Sequence, residues 1–367
     1  MRVLLCTPYL QDKRYVKGGI NVWGKNLSDY YQLFSNDVLI DFVSYDRIFD
    51  NQENTPFFSR AYHGLKDYWN SIKITKKKLN KEGPYDVLHL CTSAQLGLIK
   101  DYVVINEAHK HGAKVVLHLH FGRVPEFFVK KNWESILFKK VIKMADAVVA
   151  IDSTSHSTLL KEGYSHSFYL PNPLSLSIIQ QIENRKPLIK QIPGKILFVG
   201  HVSIAKGVFE LVEACKGIDN IELHIVGTAR EEIKEQLVKK SFDRNNGEWL
   251  KIRGGIPHEE VIQEMLSCEV FVLPSYTEGF PNVILESMAC GCAIVATNVG
   301  AIPEMLQNDC GIIVNPKNVQ ELRNAINIIL QDKEFASNCR TNAKNRVYKE
   351  YTMPIVWNRM VEIWKSV

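Results

Sequence analysis

Two glutamates eight positions apart, Glu278 and Glu286, lie in the segment of this sequence best equipped for chemistry. The run is Pro274-Ser275-Tyr276-Thr277-Glu278-Gly279-Phe280-Pro281-Asn282-Val283-Ile284-Leu285-Glu286-Ser287-Met288-Ala289-Cys290-Gly291. It follows the strand-like Val270-Phe271-Val272-Leu273 and opens a helical pattern. Gly279 lets backbone approach a ligand closely, and Pro281 favours a helix start. Around Gly279, Phe280, Pro281, Asn282 and Val283 the free amides of the first turn point outward with the positive end of the helix dipole. That is a phosphate-binding arrangement. Carboxylates so placed accept hydrogen bonds from sugar hydroxyls while the amides hold phosphate. A glutamate pair at this spacing is a weak signal alone, and the flanking Glu-Gly-Phe-Pro and Ala-Cys-Gly give it its specificity.

This segment resembles the E-x7-E motif of the retaining nucleotide-sugar glycosyltransferases of glycosyltransferase family 4, or group 1, and the whole chain resembles that family's GT-B architecture. The resemblance implies that Glu278 contacts the transferred hexose and Glu286 the ribose of the nucleotide. Gly200-His201-Val202-Ser203-Ile204-Ala205-Lys206-Gly207 is similar to the family's Gly-Arg-…-Lys-Gly pattern, in which two cations neutralise the diphosphate leaving group. Bond cleavage gathers negative charge on the β-phosphate, so a fixed cation there lowers the barrier. Lys206 fits that role. His201 stands where the family has Arg, and a neutral imidazole lacks both the charge and the bidentate fork. Arg230 and Arg253 are the candidates to compensate.

Three further segments carry the same resemblance. Gly18-Gly19 follows the first strand, and the family's glycine pair brings amides to the donor diphosphate. Lys114-Val115-Val116-Leu117-His118-Leu119-His120-Phe121-Gly122-Arg123 ends a strand near His120, where α/β folds put chemistry, and the resemblance puts His120 beside the transferred sugar. His118 shares the strand face of His120 by the period of two and reads as a core histidine. Arg123 reads equally as a binder of an anionic acceptor group and as a surface loop residue. Lys251-Ile252-Arg253-Gly254-Gly255-Ile256-Pro257-His258 is similar to the loop bordering the nucleotide base, with Arg253 the donor-binding candidate. In Gly300-Ala301-Ile302-Pro303-Glu304, a further family segment, Glu304 is expected to hold the loop rather than the donor.

These residues need a scaffold that brings strand ends together. Continuous apolar runs at Val3–Cys6, 38–43, 87–90, 115–119 and 147–150, and again at 196–200, 221–227, 270–273 and 293–296, alternate with helical patterns. Such runs belong to parallel strands covered on both faces, so an α/β chain of two facing Rossmann-like β/α/β domains with a cleft between them is expected. The 367 residues suit about two domains at roughly 150 residues each. Residues 1–172, with a C-terminal helix of about 354–367 begun by Pro354, are expected to bind the acceptor. Residues 173–353 are expected to bind the nucleotide sugar. Pro171 to Gly194, rich in Pro, Ser and polar residues, reads as a linker.

With 46% hydrophobic and 23% charged residues, the composition excludes a disordered chain, a collagen and a disulfide-knotted miniprotein. No apolar run reaches the about 20 residues that span a bilayer, and no secretory leader is read. The eight cysteines lack zinc spacing and read as buried thiols, consistent with a cytoplasmic location. The net charge of +5 is unevenly spread: residues 1–172 hold 23 Lys/Arg against 17 Asp/Glu, a net of +6, and the remainder 22 against 23. That balance does not point to nucleic acid. The stretch Lys73–Lys81, following Trp69, puts lysines on one helix face. It reads as a solvated face or as a peripheral contact with an anionic membrane.

The expected activity is retaining transfer of a hexose-type sugar from a nucleotide diphosphate sugar to a glycan or lipid-linked acceptor. No Asp-x-Asp triplet is present, so no metal and no other cofactor is expected, with Lys206 and helix amides serving the diphosphate instead. The resemblance implies front-face attack, with the acceptor proton passing to the leaving phosphate. Two other classes suit the same architecture: a nucleotide-sugar epimerase or phosphorylase, and a non-catalytic partner subunit.

Overall fold

The structure is a computed structural model that describes residues 1–8, 19–34, 38–45, 57–242 and 247–367, with side chains described throughout these except at 57–63 and 65. The described residues form two parallel six-stranded sheets. The first contains β1 (Arg2–Thr7), β2 (Leu39–Ser44), β3 (Val87–Thr92), β4 (Lys114–Leu119), β5 (Ala147–Ala150) and β6 (Ser167–Tyr169), in the order β2-β1-β3-β4-β5-β6. The second contains β7 (Lys195–Val199), β8 (Glu222–Val226), β9 (Leu250–Gly254), β10 (Val270–Leu273), β11 (Ala293–Thr297) and β12 (Ile312–Val314), in the order β12-β11-β10-β7-β8-β9.

Residues Met1–Asn172 together with Val356–Val367 make one compact unit, and Pro173–Ile355 makes the other. Each sheet buries its central strands. All of β3, β10 and β11 are buried, and that is why they read as unbroken apolar runs. Each buried Val, Leu, Ile or Phe side chain among them contributes about 1.5–3 kcal/mol by leaving water. Three strands fall outside the apolar runs of the sequence. β6 and β12 have three residues each, and β9 alternates charged and apolar residues, as edge strands do.

The expected linker is partly helical. Ser175 accepts a hydrogen bond from the Ile178 amide and caps the helix Leu176–Arg185, whose Ile178 and Ile182, four apart, are buried. The last helix, Met353–Ser366, begins with Pro at its second position, where a missing N–H costs nothing. All eight cysteines are buried and free.

The strand order reverses between β7 and β10, which are neighbours in the sheet but not in sequence. Parallel α/β sheets bind ligands outside the carboxyl ends of strands at such a switch point. Here the two loops leaving those strands are Gly200–Gly207 and Pro274–Pro281.

Candidate active site

In the second unit the switch point brings together residues 72 positions apart: Lys206 Nζ lies 2.6 Å from Glu278 Oε1. The same oxygen accepts from Ser275 Oγ at 2.6 Å. Lys206 ends the 3-10 turn Ile204–Lys206 rather than opening the α-helix, which starts one residue after Gly207, at Val208. Gly207 is left-handed (φ +67°), and a Cβ there would come 2.0 Å from the Pro274 carbonyl oxygen. The two loops therefore touch backbone to backbone, and the Tyr276 amide donates to the Ala205 carbonyl at 2.9 Å. Glycine is required at 207 so that lysine and glutamate can meet.

The Glu278 loop is braced from its other side. The Ala301 amide donates to the Gly279 carbonyl at 2.9 Å, and Thr297 Oγ1 donates to the Ser275 carbonyl at 2.6 Å. A Cβ at Gly300 would meet the Glu278 carbonyl oxygen at 2.4 Å. This explains the Gly300–Glu304 segment as loop support, with Gly300 as the close-packed residue. Phe280 is buried with its ring edge-on to Tyr351, and Pro281 is the residue before the helix Asn282–Cys290. Gly279, Asn282 and Val283 are partly exposed at that helix N-terminus.

Glu286 is the fifth residue of this helix and is buried; its Oε1 lies 3.2 Å from His258 Nε2. Hydrogen bonding to Glu286 leads the causes that raise the His258 pKa above its ordinary value. His201 is exposed, with Nδ1 3.2 Å from Thr228 Oγ1. Arg253 points its Nη1 at Glu264 Oε1, 3.1 Å away. Burial acts to raise the Glu264 pKa, but hydrogen bonds from His224 and Lys195 outweigh it and pull the carboxyl down to about 2. Arg253 thus joins a carboxylate network, and the structure gives no sign that it replaces the charge missing at His201.

In the first unit His120 follows β4 and packs in a ring cluster with His118, His89 and Trp23. The described hydrogen bonds set the tautomers. Trp364 Nε1 donates to His89 Nδ1 at 2.8 Å, so the neutral His89 ring carries its proton on Nε2. That proton is donated to His118 Nδ1, 3.2 Å away, which leaves His118 protonated at Nε2. Burial pushes His89 and His120 down to about 3 and His118 well below its ordinary value, so the rings are neutral.

His89, Cys91 and His118 place possible ligand atoms within 4.8 Å of one another. A ring that accepts at Nδ1 and donates at Nε2 offers a metal no lone pair, so the cluster fits a hydrogen-bond chain better than a metal centre. At its far end His118 Nε2, His120 Nε2 and Trp23 Nε1 are buried without a partner among the described residues. His118 is therefore a core histidine that is not fully satisfied.

Arg123 is paired with Glu134 at 2.8 Å and lies over the Phe127 ring, so its fork is already engaged within its own unit. Gly19 begins the helix Gly19–Leu33 with open space at its Cβ, while Gly18 lies outside the described residues. In the basic stretch, Lys76 pairs with Glu107 and Lys78 with Glu82, whereas Lys73, Lys77 and Lys81 are exposed.

The sequence reading missed Ser275 and His258. Ser275 lies within the quoted motif, three residues before Glu278, but nothing in its type shows where it points. It also missed a surface patch on the first unit: Val129, Trp133 and Ile136 are 81%, 55% and 67% exposed, among exposed Lys130, Lys131 and Lys140. Its signal was present as the Phe-Phe-Val-Lys-Lys-Asn-Trp run.

The two sheets and the switch-point site define a GT-B protein, and the chain aligns over its whole length with a solved GT-B structure. That structure is Anabaena HepE in complex with UDP-glucose, with 18% identity, a TM-score of 0.71 and 100% of each chain covered. Residues 180–346 match the family model for glycosyl transferases group 1. TuaC of Bacillus subtilis (strain 168), a glycosyltransferase named for teichuronic acid biosynthesis, is 29% identical over 223 residues, which is 59% of this chain and 52% of TuaC. The chain thus spans about half the length of that relative. The Campylobacter jejuni N,N'-diacetylbacillosaminyl-diphospho-undecaprenol alpha-1,3-N-acetylgalactosaminyltransferase is 32% identical over 109 residues, 29% of each chain.

Proposed function

We propose that this protein transfers a hexose-type sugar, with retention and without a metal ion, from a nucleotide diphosphate sugar to a glycan or lipid-linked acceptor in polysaccharide or glycoconjugate synthesis. The observation that carries this reading is the Lys206–Glu278 pair, 2.6 Å apart, beside the N-terminus of the helix Asn282–Cys290. Without a ligand each group neutralises the other. The donor diphosphate takes the Lys206 ammonium and amides at the helix N-terminus, which releases Glu278 to accept hydrogen bonds from the sugar hydroxyls. As the bond to the β-phosphate breaks, Lys206 stabilises the charge gathering there. The acceptor hydroxyl gives its proton to the leaving phosphate, so neither Glu278 nor His120 acts as a nucleophile. Glu286 takes the ribose, and neutral His120 contacts the transferred sugar.

The UDP-glucose held by HepE supports a nucleotide-sugar donor. The names of TuaC and the Campylobacter enzyme support a polysaccharide or lipid-linked product. A thermal-shift screen of UDP-, GDP- and ADP-sugars tests the reading. Ligand at about a hundredfold over Kd adds about 2.7 kcal/mol of apparent stability. One nucleotide class is expected to raise the midpoint, equally with and without EDTA. No shift with any of the three would sink the proposal, and a shift abolished by EDTA would remove its metal-free part.

We also propose a peripheral contact between the first unit and an anionic membrane. Interfacial binding needs apolar side chains beside cations, and the Val129–Trp133–Ile136 patch supplies both, with the exposed lysines of the 73–81 stretch adding charge. No helix among the described residues is long and apolar enough to cross a membrane. Sedimentation with phosphatidylglycerol vesicles is expected to carry the protein down at low salt, and Trp133→Ala/Ile136→Ala to reduce binding about tenfold. Equal binding by this variant would refute the patch.

A further inference from the structure

Glu286 carries its carboxylate into a place where water cannot compensate the charge, since the residue is 8% exposed. Among the described residues its polar partner is His258, whose Nε2 lies 3.2 Å from Oε1. His258 is the first residue of the helix His258–Ser267 and directly follows Gly254-Gly255-Ile256-Pro257. A cationic ring is opposed by the dipole at a helix N-terminus. Two groups offset that opposition: the acidic first turn, Glu259 and Glu260, and the Glu286 carboxylate reaching across from a different helix. The contact therefore joins two elements at the site, the helix of the E-x7-E segment and the one after the base-bordering segment.

We propose that His258 is a positioning residue for ribose recognition. By donating to Oε1 of Glu286 it fixes the carboxylate, so that the other oxygen accepts from the ribose hydroxyls of a nucleoside diphosphate. This rests on the reading of Glu286 as the ribose ligand given above. A carboxylate with one oxygen pinned has one orientation, so the ribose hydroxyls meet an acceptor already in place and the cost of ordering it is not charged to binding. Without the imidazole, Glu286 is a buried charge free to turn. His258 then acts on the hydroxyls of the sugar and not on base or diphosphate, which makes it a determinant of ribose over deoxyribose.

Calorimetry on the full chain with UDP, GDP and ADP identifies the nucleotide that binds, and the 2′,3′-dideoxy form of that nucleotide is the second probe. His258→Ala is expected to weaken the ribonucleotide about tenfold and to leave the dideoxy form within about twofold, because the lost energy belongs to the hydroxyls. His258→Gln keeps an N–H donor and is expected to recover most of the affinity, which a purely structural role would not predict. Unchanged ribonucleotide affinity in His258→Ala overturns the proposal, as does equal weakening of both forms, which would mean a disturbed loop. Glu286→Ala separates the two layers of the argument. If it fails to weaken the ribonucleotide, the ribose assignment itself falls and the role of His258 falls with it. If it weakens only the ribonucleotide while His258→Ala does nothing, the assignment stands and the positioning role alone is refuted.

Discussion

Lys206→Ala and Glu278→Ala are each expected to reduce sugar transfer by about 10²–10³-fold, the usual cost of losing one group aimed at developing charge. The two losses have different kinetic signatures. On the proposed reading Lys206 answers charge that appears as the phosphate leaves, so its loss is expected chiefly on kcat. On the same reading Glu278 holds the sugar in the ground state and more strongly as positive charge develops on the sugar in the transition state, so its loss is expected on both kcat and KM.

The pair is in contact, with Nζ and Oε1 2.6 Å apart, so the single effects are not independent. Removing the lysine leaves Glu278 with Ser275 alone as a described donor, and removing the glutamate leaves a cation without its counter-charge. The double variant is therefore expected to lose less than the product of the single losses, with a coupling of about 0.5–3 kcal/mol. Steady-state kinetics on all four proteins, each checked for an unchanged far-ultraviolet spectrum, decides the matter. Activity near wild type in either single variant would remove that residue from the site.

Gly207→Ala is expected to be strongly damaging to the second unit. A left-handed conformation costs an L-residue about 1–2 kcal/mol, and forcing a methyl into filled space adds about 1–3 kcal/mol. At Gly207 φ is +67° and the methyl would stand 2.0 Å from the Pro274 carbonyl oxygen, so both costs apply. The expected destabilisation is about 2–5 kcal/mol in urea unfolding, with nucleotide binding lost as the two loops separate. Gly19→Ala is the control. Its Cβ would find nothing within 4 Å, so its stability is expected to stay within about 0.5 kcal/mol of wild type. If Gly207→Ala were as harmless as this control, the close approach of the two loops would not exist in solution.

Much of the fold was legible because its central strands are buried on both faces. A strand such as Val270–Leu273 has no solvent side, and its composition says so without knowledge of its neighbours. β6 and β12 were not legible, since three residues at a sheet edge carry no period and little burial. The helix Leu176–Arg185 was hidden for a related reason. Its two buried isoleucines make too narrow a stripe to stand out against a Pro- and Ser-rich stretch.

The candidate site divides along the same line. The sequence alone determined which residue types are present: the two glutamates eight apart, the lysine before a glycine and the histidine at a strand end. Each depends only on neighbours in the chain. Which side chains meet was decided by tertiary structure. Lys206 and Glu278 are 72 positions apart and touch because β7 and β10 are adjacent at the point where strand order reverses. His258 reaches Glu286 from a separate helix, and Trp364 reaches His89 across 275 positions of chain. Arg253 and Arg123 show the converse. Their type suits phosphate or an acidic acceptor, but nearby carboxylates from other helices already hold them. A charge's partner is fixed by distance in space, since Coulomb attraction and hydrogen bonding fall away within a few ångströms, and sequence separation sets no such distance.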